Sequence, residues 1–326
     1  MKLEDFNGRG DAVKSLICDI RQGRAPNALL ITGQSGIGKR TFALLLARAL
    51  LCEDPEPFNR PCEKCRNCKR TSKDSHPDLL ILKPEDSKKK SIGIDDVRTR
   101  LNRLATHTFS GGKRILLYDG TRSITEAAQN ALLKSLEEAD TDQYFILVAR
   151  EESSILPTVR SRCRVLRLQP ASDEEVICVL HASGQYDEEK LQAAVSECGG
   201  SIGAARTMLE DEKHWELRKL CESTFFMVRN VRDIPAASAL LKDAKDDAEE
   251  LFALTESGIR SLIRIKLLDE PEKDDFVPDH WRNLSLQSLT ELSEMMLDAH
   301  QYLQNNVGWQ ALIDKILYSI TEELNK

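Results

Sequence analysis

The chain has 326 residues, which is enough for about two domains at roughly 150 residues each, or three if the pieces are small. Hydrophobic residues at 41% and charged residues at 30% fit a soluble globular protein with a real core, and exclude disordered, collagen-like and low-complexity classes. A formal net charge of −7 argues against a globally basic nucleic-acid binder, although it leaves room for a local basic surface.

The amino terminus, Met1-Lys2-Leu3-Glu4-Asp5-Phe6-Asn7, is too polar for the apolar core of a signal peptide. Ala28-Leu29-Leu30-Ile31-Thr32 reads as a buried strand, ended by a glycine-rich turn and followed by a helix over about 39–51. That helix holds the most apolar run, Phe42 to Cys52, which is short and interrupted by Arg48, so it does not predict a membrane span. Leu79-Leu80-Ile81-Leu82 is a second strand, stopped by Pro84 and a charged loop through Lys88-Lys89-Lys90. Ile115-Leu116-Leu117-Tyr118 is a third, followed by a helix over 126–138, and strands at 145–148 and 165–168 complete the set. Continuous apolar strands separated by helices predict a parallel sheet covered on both faces.

Strands stop beyond Pro170. Ser172-Asp173-Glu174-Glu175 is a helix start, with a hydroxyl cap and acids in the first turn. A small helical segment runs to about Met208, interrupted by Gly199-Gly200. Two later stripes hold helical spacing: Leu286, Leu289, Leu292, Met296, Ala299 and Leu303, then Trp309, Leu312, Ile313, Ile316, Leu317 and Ile320. The acidic stretch 269–278 is a loop between helices. The predicted division is 1–168, 169–208 and 209–326.

Gly33-Gln34-Ser35-Gly36-Ile37-Gly38-Lys39 follows the first strand and opens a helix, which is the P-loop pattern in its required context. Gly33, Gly36 and Gly38 let backbone N–H groups turn toward phosphate oxygens, and Lys39 reaches the terminal phosphates. A chance glycine-rich turn is the competing reading. The hydroxyl that should follow the lysine and ligate Mg²⁺ is replaced by Arg40, and Thr41 stands about 100° further around the helix. The third strand ends Tyr118-Asp119-Gly120, so the metal-side acid survives as Asp119 while the carboxylate beside the attacking water is replaced by glycine. Two parts of one catalytic machine are degraded, which predicts a nucleotide-fold protein without turnover.

Nine cysteines, an odd number with four clustered, favour a reducing, cytoplasmic setting and a metal site over a disulfide framework. Cys52, Cys62, Cys65 and Cys68 supply two overlapping C-x-x-C hooks and a fourth thiolate, the donor set of tetrahedral structural zinc. Lys64, Arg66, Lys69 and Arg70 balance the charge of such a complex. Unrelated free cysteines and a redox switch are the alternatives. His76 and His107 lack the partner spacing of a catalyst and read as structural.

Taken in order, Gly8-Arg9-Gly10-Asp11-Ala12, the 33–39 loop, the four-cysteine insertion, His76-Pro77-Asp78, Ile94-Asp95-Asp96-Val97-Arg98, the 130–138 segment (Asn-Ala-Leu-Leu-Lys-Ser-Leu-Glu-Glu) and Ser161-Arg162-Cys163 resemble the clamp-loader subunits of bacterial DNA polymerase III. Asn305-Asn306-Val307 before the last helix resembles the family's collar domain. The resemblance implies an AAA+ module, a small helical lid and an all-α collar that packs into a five-subunit ring. Of the family's subunit types, the motors (gamma/tau) keep a complete ATPase site and delta-prime has a decayed one. Arg40 and Gly120 point to delta-prime. So does Ala149-Arg150, where motors present a polar phosphate sensor, and so does Gly200-Ser201-Ile202-Gly203, which lacks the motors' sensor arginine although Arg206 lies one turn on.

The function so implied is that of a stator, helping motor and delta subunits load the sliding clamp onto primed DNA, with Arg162 offered in trans to nucleotide on a neighbouring motor. The competing reading of Arg162 is a pair with an acid of its own domain. The intact loop leaves ATP or ADP as a ligand held without hydrolysis. An active gamma/tau-like motor is the alternative function, and a zinc-dependent nucleic-acid reader is a third, disfavoured by the acidic balance. The 130–138 segment reads equally as sheet packing.

Overall fold

The computed structural model describes residues 2–84, 89, 91–105, 112–268, 276–304 and 308–326. Lys88, Lys90, His107, residues 269–275 of the acidic loop and the Asn305-Asn306-Val307 motif lie outside them. The chain forms two compact units, Met1–Leu180 with Gly199–Gly203, and His181–Cys198 with Ala204–Lys326.

The first unit runs α1 (Asp11–Arg21), β1 (Ala28–Thr32), α2 (Lys39–Leu51), α3 (Arg66–Thr71), β2 (Leu79–Ile81), β3 (Ser91–Ile92), α4 (Ile94–Ala105), β4 (Arg114–Tyr118), β5 (Ser123–Ile124), α5 (Glu126–Glu137), β6 (Gln143–Val148), α6 (Pro157–Arg160) and β7 (Arg164–Arg167). Five strands form one sheet in the order β2-β4-β6-β1-β7, every pair parallel. The short β3 and β5 pair separately. Period-two alternation sends successive strand residues to opposite faces. Leu29, Ile31, Ile115, Leu117 and Ile146 pack with Phe6, Leu16, Phe42 and Leu46 of the α1 and α2 side. Leu30, Leu116, Phe145 and Leu147 pack with Val97, Ala128 and Leu132 of α4 and α5 on the other. Both faces are covered, which is why the strands read as unbroken apolar runs. The module is an α/β fold with a parallel sheet covered by helices on both faces and a P-loop after β1, as the sequence indicates.

Beyond β7 the described chain is helical: α7 (Asp173–His181), α8 (Glu188–Glu197), α9 (Ile202–Glu210), α10 (Glu212–Cys221), α11 (Ile234–Leu241), α12 (Ala248–Leu268), α13 (Asp279–Arg282), α14 (Leu286–Gln304) and α15 (Trp309–Leu324). The second unit closes around Phe226, Phe252, Trp281 and Trp309. Each indole is satisfied inside this core, Trp281 Nε1 donating to Phe226 O at 3.1 Å and Trp309 Nε1 to Leu241 O at 2.8 Å. Both apolar stripes read from the sequence face inward, except that Leu286 at the start of α14 is exposed.

A polar knot sits in the second unit. His214 of α10 lies with Nε2 3.5 Å from Glu197 Oε2 and Nδ1 3.4 Å from Glu250 Oε1, while Arg218 Nε donates to Glu197 Oε1 at 2.8 Å. The Glu197 carboxylate 3.5 Å away raises the imidazole above its ordinary value, against the desolvation that opposes it. A histidine whose folded value is raised stabilises fully below its unfolded value, near pH 6.5, and loses that contribution as pH climbs through the folded value. Urea unfolding midpoints measured from pH 6 to pH 8.5 are therefore expected to fall with pH more steeply in the native chain than in His214→Gln. Parallel slopes would assign no such role to His214.

Candidate functional site

All five strands of the main sheet point one way, so their carboxyl ends share an edge, where ligands of open α/β sheets bind. The 33–39 loop leaves β1 at that edge, with Gly36 and Gly38 at φ of +76° and +93° supplying the turn into α2. Lys39 Nζ donates to Gly33 O at 2.6 Å and to Gln34 O. Burial, reinforced by the nearby Arg150 cation, pushes this ammonium below the ordinary lysine range. Thr41 is exposed one position beyond Arg40.

Asp119 leaves β4 at the same edge and is buried. Its Oδ1 accepts from the Thr121 N–H at 3.1 Å and the Thr121 hydroxyl at 2.7 Å, and its Oδ2 accepts from Arg40 Nε at 3.0 Å. Arg40 Nη2 also lies 3.6 Å from Asp74 Oδ2. A guanidinium therefore stands between the P-loop and the acid, where a motor holds its metal. A divalent ion and Arg40 do not fit there together.

Gly120 has φ +71°, and a Cβ built on it would meet Val148 O at 2.6 Å. The main chain has settled into a path that admits no side chain, so the missing carboxylate cannot be restored by substitution alone.

The Gly199–Gly203 segment belongs to the same unit and covers the loop. Ser201 Oγ donates to Ser35 O at 3.1 Å and Gly203 N–H to Gly36 O at 3.0 Å. A Cβ at Gly203 would sit 3.0 Å from Gly36 Cα, so this approach depends on a residue without a side chain. Arg206, one turn on, is exposed. Near the same edge, Arg9 is buried against α7, with Nε 3.0 Å from Glu175 Oε2, Nη1 donating to Gln169 O at 3.3 Å and its own carbonyl accepting from Gln169 N–H.

Arg162 sits between α6 and β7. Since Leu29 pairs with Arg164 and Thr32 with Arg167, Arg162 precedes the amino end of β7, whereas the P-loop follows the carboxyl end of β1. Four strand residues at about 3.3 Å each put the two on opposite edges, roughly 13 Å apart or more. Arg162 Nε donates to Glu137 Oε1 at 2.7 Å, its Nη2 shares the same oxygen, and its Nη1 donates to Thr158 O at 2.7 Å. This pair within its own unit is the competing reading of the sequence, and it is present.

Two contributors had escaped the sequence. Glu137 ends α5 beside Arg162 only because the helix packs as it does. Gln129, buried on α5, accepts from Leu156 N–H at 2.7 Å and donates to Ser154 O at 3.2 Å, fixing the segment that leads to Arg162. A glutamine three residues before Leu132 on an otherwise apolar face was the available signal. Ala128, Leu132 and Leu136 of α5 are buried on the sheet, as the packing reading of this segment has it.

Cys52, Cys62, Cys65 and Cys68 converge, with all four sulfurs within 4.8 Å of one another. Cys52 caps the end of α2, and Cys65 opens α3. The N–H groups of Cys62, Cys65 and Cys68 point to sulfurs of the cluster at 3.4, 3.3 and 3.3 Å. Four thiol donors at this spacing fit one tetrahedral metal ion.

A family model described as DNA polymerase III, delta subunit, matches residues 8–172. The chain belongs to that family. The delta-subunit match covers the P-loop, the cysteine cluster and Arg162. The delta' naming recurs among relatives: DNA polymerase III subunit delta' of Escherichia coli K12 is 33% identical over 66% of this chain, and that of Bacillus subtilis 32% identical over 50%. The chain spans 64% and 48% of their respective lengths. A DNA polymerase III subunit gamma/tau of Mycoplasma genitalium is 26% identical over 82% of this chain and 49% of its own length. At 16% identity and a TM-score of 0.43, the solved structure of a gamma-subunit-related protein from Thermotoga maritima matches 95% of this chain and 99% of its own.

The Gly120 geometry sets a test. Gly120→Glu is expected to destabilise this delta-family chain by about 1–3 kcal/mol, the usual cost of a non-glycine residue held at a strained backbone angle, and to confer no hydrolysis. Urea melts and phosphate release from the purified variant read both. A variant of undiminished stability would mean that the backbone at Gly120 relaxes freely.

Proposed function

We propose that this chain is the delta-prime-type, non-hydrolysing subunit of a DNA polymerase III clamp loader, the stator of a five-subunit ring with gamma/tau motors and a delta subunit that places the sliding clamp on primed DNA. In this reading 1–168 is the AAA+ module, 169–208 the lid and 209–326 the collar, and the protein works in the cytoplasm. Among the described residues no helix is long and apolar enough to cross a membrane.

The observation that carries the reading is the separation of Arg162 from its own P-loop by the length of the sheet. From that edge Arg162 cannot serve nucleotide on its own chain, but it is free to meet a phosphate presented by a neighbour. Its pair with Glu137 is no obstacle, since both side chains are substantially solvent-exposed and such surface pairs are worth little, about 0–1 kcal/mol. A phosphate developing charge in a neighbouring site is the stronger partner for a planar guanidinium. The filled cation position and Gly120 support the absence of turnover on this chain. The Gly33, Gly36, Gly38 and Lys39 loop then holds ATP or ADP as a structural ligand.

The motor reading, favoured by the intact 33–39 loop and the gamma/tau likeness, separates cleanly from this one. ATP hydrolysis is measured for the chain alone and for the assembled loader with clamp and primed DNA. The chain alone is expected to show no turnover, and Arg162→Ala is expected to assemble normally yet lower the loader's rate by about 10³-fold or more at the site it serves. Turnover by the isolated chain that disappears in Lys39→Ala would make it a motor, and an unchanged loader rate in Arg162→Ala would remove the trans role.

The cysteine cluster is assigned structural zinc. Metal analysis is expected to give one zinc per chain, lost in Cys65→Ser together with a lowered melting temperature. Zinc-free protein of unchanged melting behaviour would return the cluster to the free-cysteine or redox reading.

A further inference from the structure

In a hydrolysing P-loop the residue after the lysine offers a hydroxyl to a divalent ion, and the acid at the end of the adjoining strand holds the same ion, usually through water. Both positions are visible in this chain, and both are committed elsewhere. Asp119 is 5% exposed, with each carboxylate oxygen engaged by the chain's own donors, Oδ1 by Thr121 and Oδ2 by Arg40. A magnesium ion requires near-octahedral oxygen ligands at about 2.0–2.1 Å and gives up its water reluctantly. It cannot share that carboxylate with a guanidinium 3.0 Å away without expelling it. Arg40 carries a permanent positive charge, so the position is never electrically vacant.

The phosphate-binding half of the site is different. Among the described residues, the N–H groups of Ser35, Gly36 and Gly38 make no hydrogen bond within the protein, and so stay available to phosphate oxygens. Lys39 keeps its ammonium on the carbonyls of the same loop. Phosphate donors are retained while the metal position is filled.

We propose that this P-loop takes nucleoside di- and triphosphates without a divalent metal, with Arg40 as the fixed cation in the metal's place. The proposal rests on the reading above that the 33–39 loop holds nucleotide, and it adds the charge chemistry of the complex. A motor site binds its triphosphate through the ion and so loses it to a chelator. Here the compensating charge is covalently part of the protein and survives chelation. Asp119 serves as the anchor that aims Arg40 and has no metal to bind.

The test uses the full chain and fluorescent ADP and ATP analogues, titrated by anisotropy in excess EDTA and again in magnesium. Native protein is expected to give dissociation constants that agree within about twofold in the two buffers. Lys39→Ala is expected to weaken both at least about tenfold, and Arg40→Thr, which offers a hydroxyl and frees Asp119, to bind at least about tenfold more tightly with magnesium than without. Thermal melts check that each variant folds. Native binding that requires magnesium overturns the metal-free proposal and leaves the nucleotide reading standing. Absence of binding in both buffers overturns both. An Arg40→Thr protein indifferent to magnesium removes Arg40 from the role of cation.

Discussion

The parallel register of the sheet determines where every functional group of the first unit stands. Because β4, β6 and β1 run side by side in one direction, the loop after β1 and the acid after β4 are delivered to the same edge without any contact between them in sequence. The same register sends the residue before β7 to the opposite edge. A nucleotide loop and an arginine placed back to back are of no use to each other within one chain.

The nucleotide edge has been rebuilt around internal contacts. Burying Asp119 with no counter-charge would be costly, and the Arg40 guanidinium and Thr121 donors meet that cost within the fold. The main chain at Gly120 holds a conformation closed to other residues. Gly203 adds to this, because its backbone rests directly on Gly36 in an approach that a side chain would obstruct. These alterations are mutually consistent, which argues for one settled state and against a site caught part-way through decay.

Much of this was legible in the sequence because it depends on short-range patterns. Buried strands in a doubly covered sheet are bound to read as apolar runs, and the P-loop and cysteine hooks carry their chemistry in fixed spacing. The losses at Arg40 and Gly120 were visible as single letters against that spacing. What could not be read were relations between distant segments. Nothing local announces that Arg40 reaches Asp119, that Glu137 meets Arg162 across 25 positions, or that Gly203 touches Gly36. The two-residue strands β3 and β5 are too short to show any period, and α1 carries only Val13, Leu16 and Ile17 as its buried apolar face, a short stripe among polar residues. Gln129 lies between these cases, since a polar residue on a buried face is noticeable but its partners are not.

Helix α2 joins the two sites of the first unit. Its first turn carries Lys39 and Arg40, and its last residue precedes Cys52, so thirteen helical residues, about 20 Å, separate the phosphate loop from the cysteine cluster. The cluster secures the far end of this helix, where Asn67 Nδ2 donates to Leu51 O at 3.0 Å and satisfies a carbonyl that the helix itself leaves open. It also returns to the near end. The turn after α3 presents Asp74, whose carboxylate lies 3.6 Å from Arg40, on the flank away from Asp119. Ordering of the cysteine turns thereby orders a second acid beside the guanidinium. In this light the insertion is more than a staple at the edge of the module: by bracing α2 at both ends it helps hold Arg40 over the position that a metal ion takes in a motor.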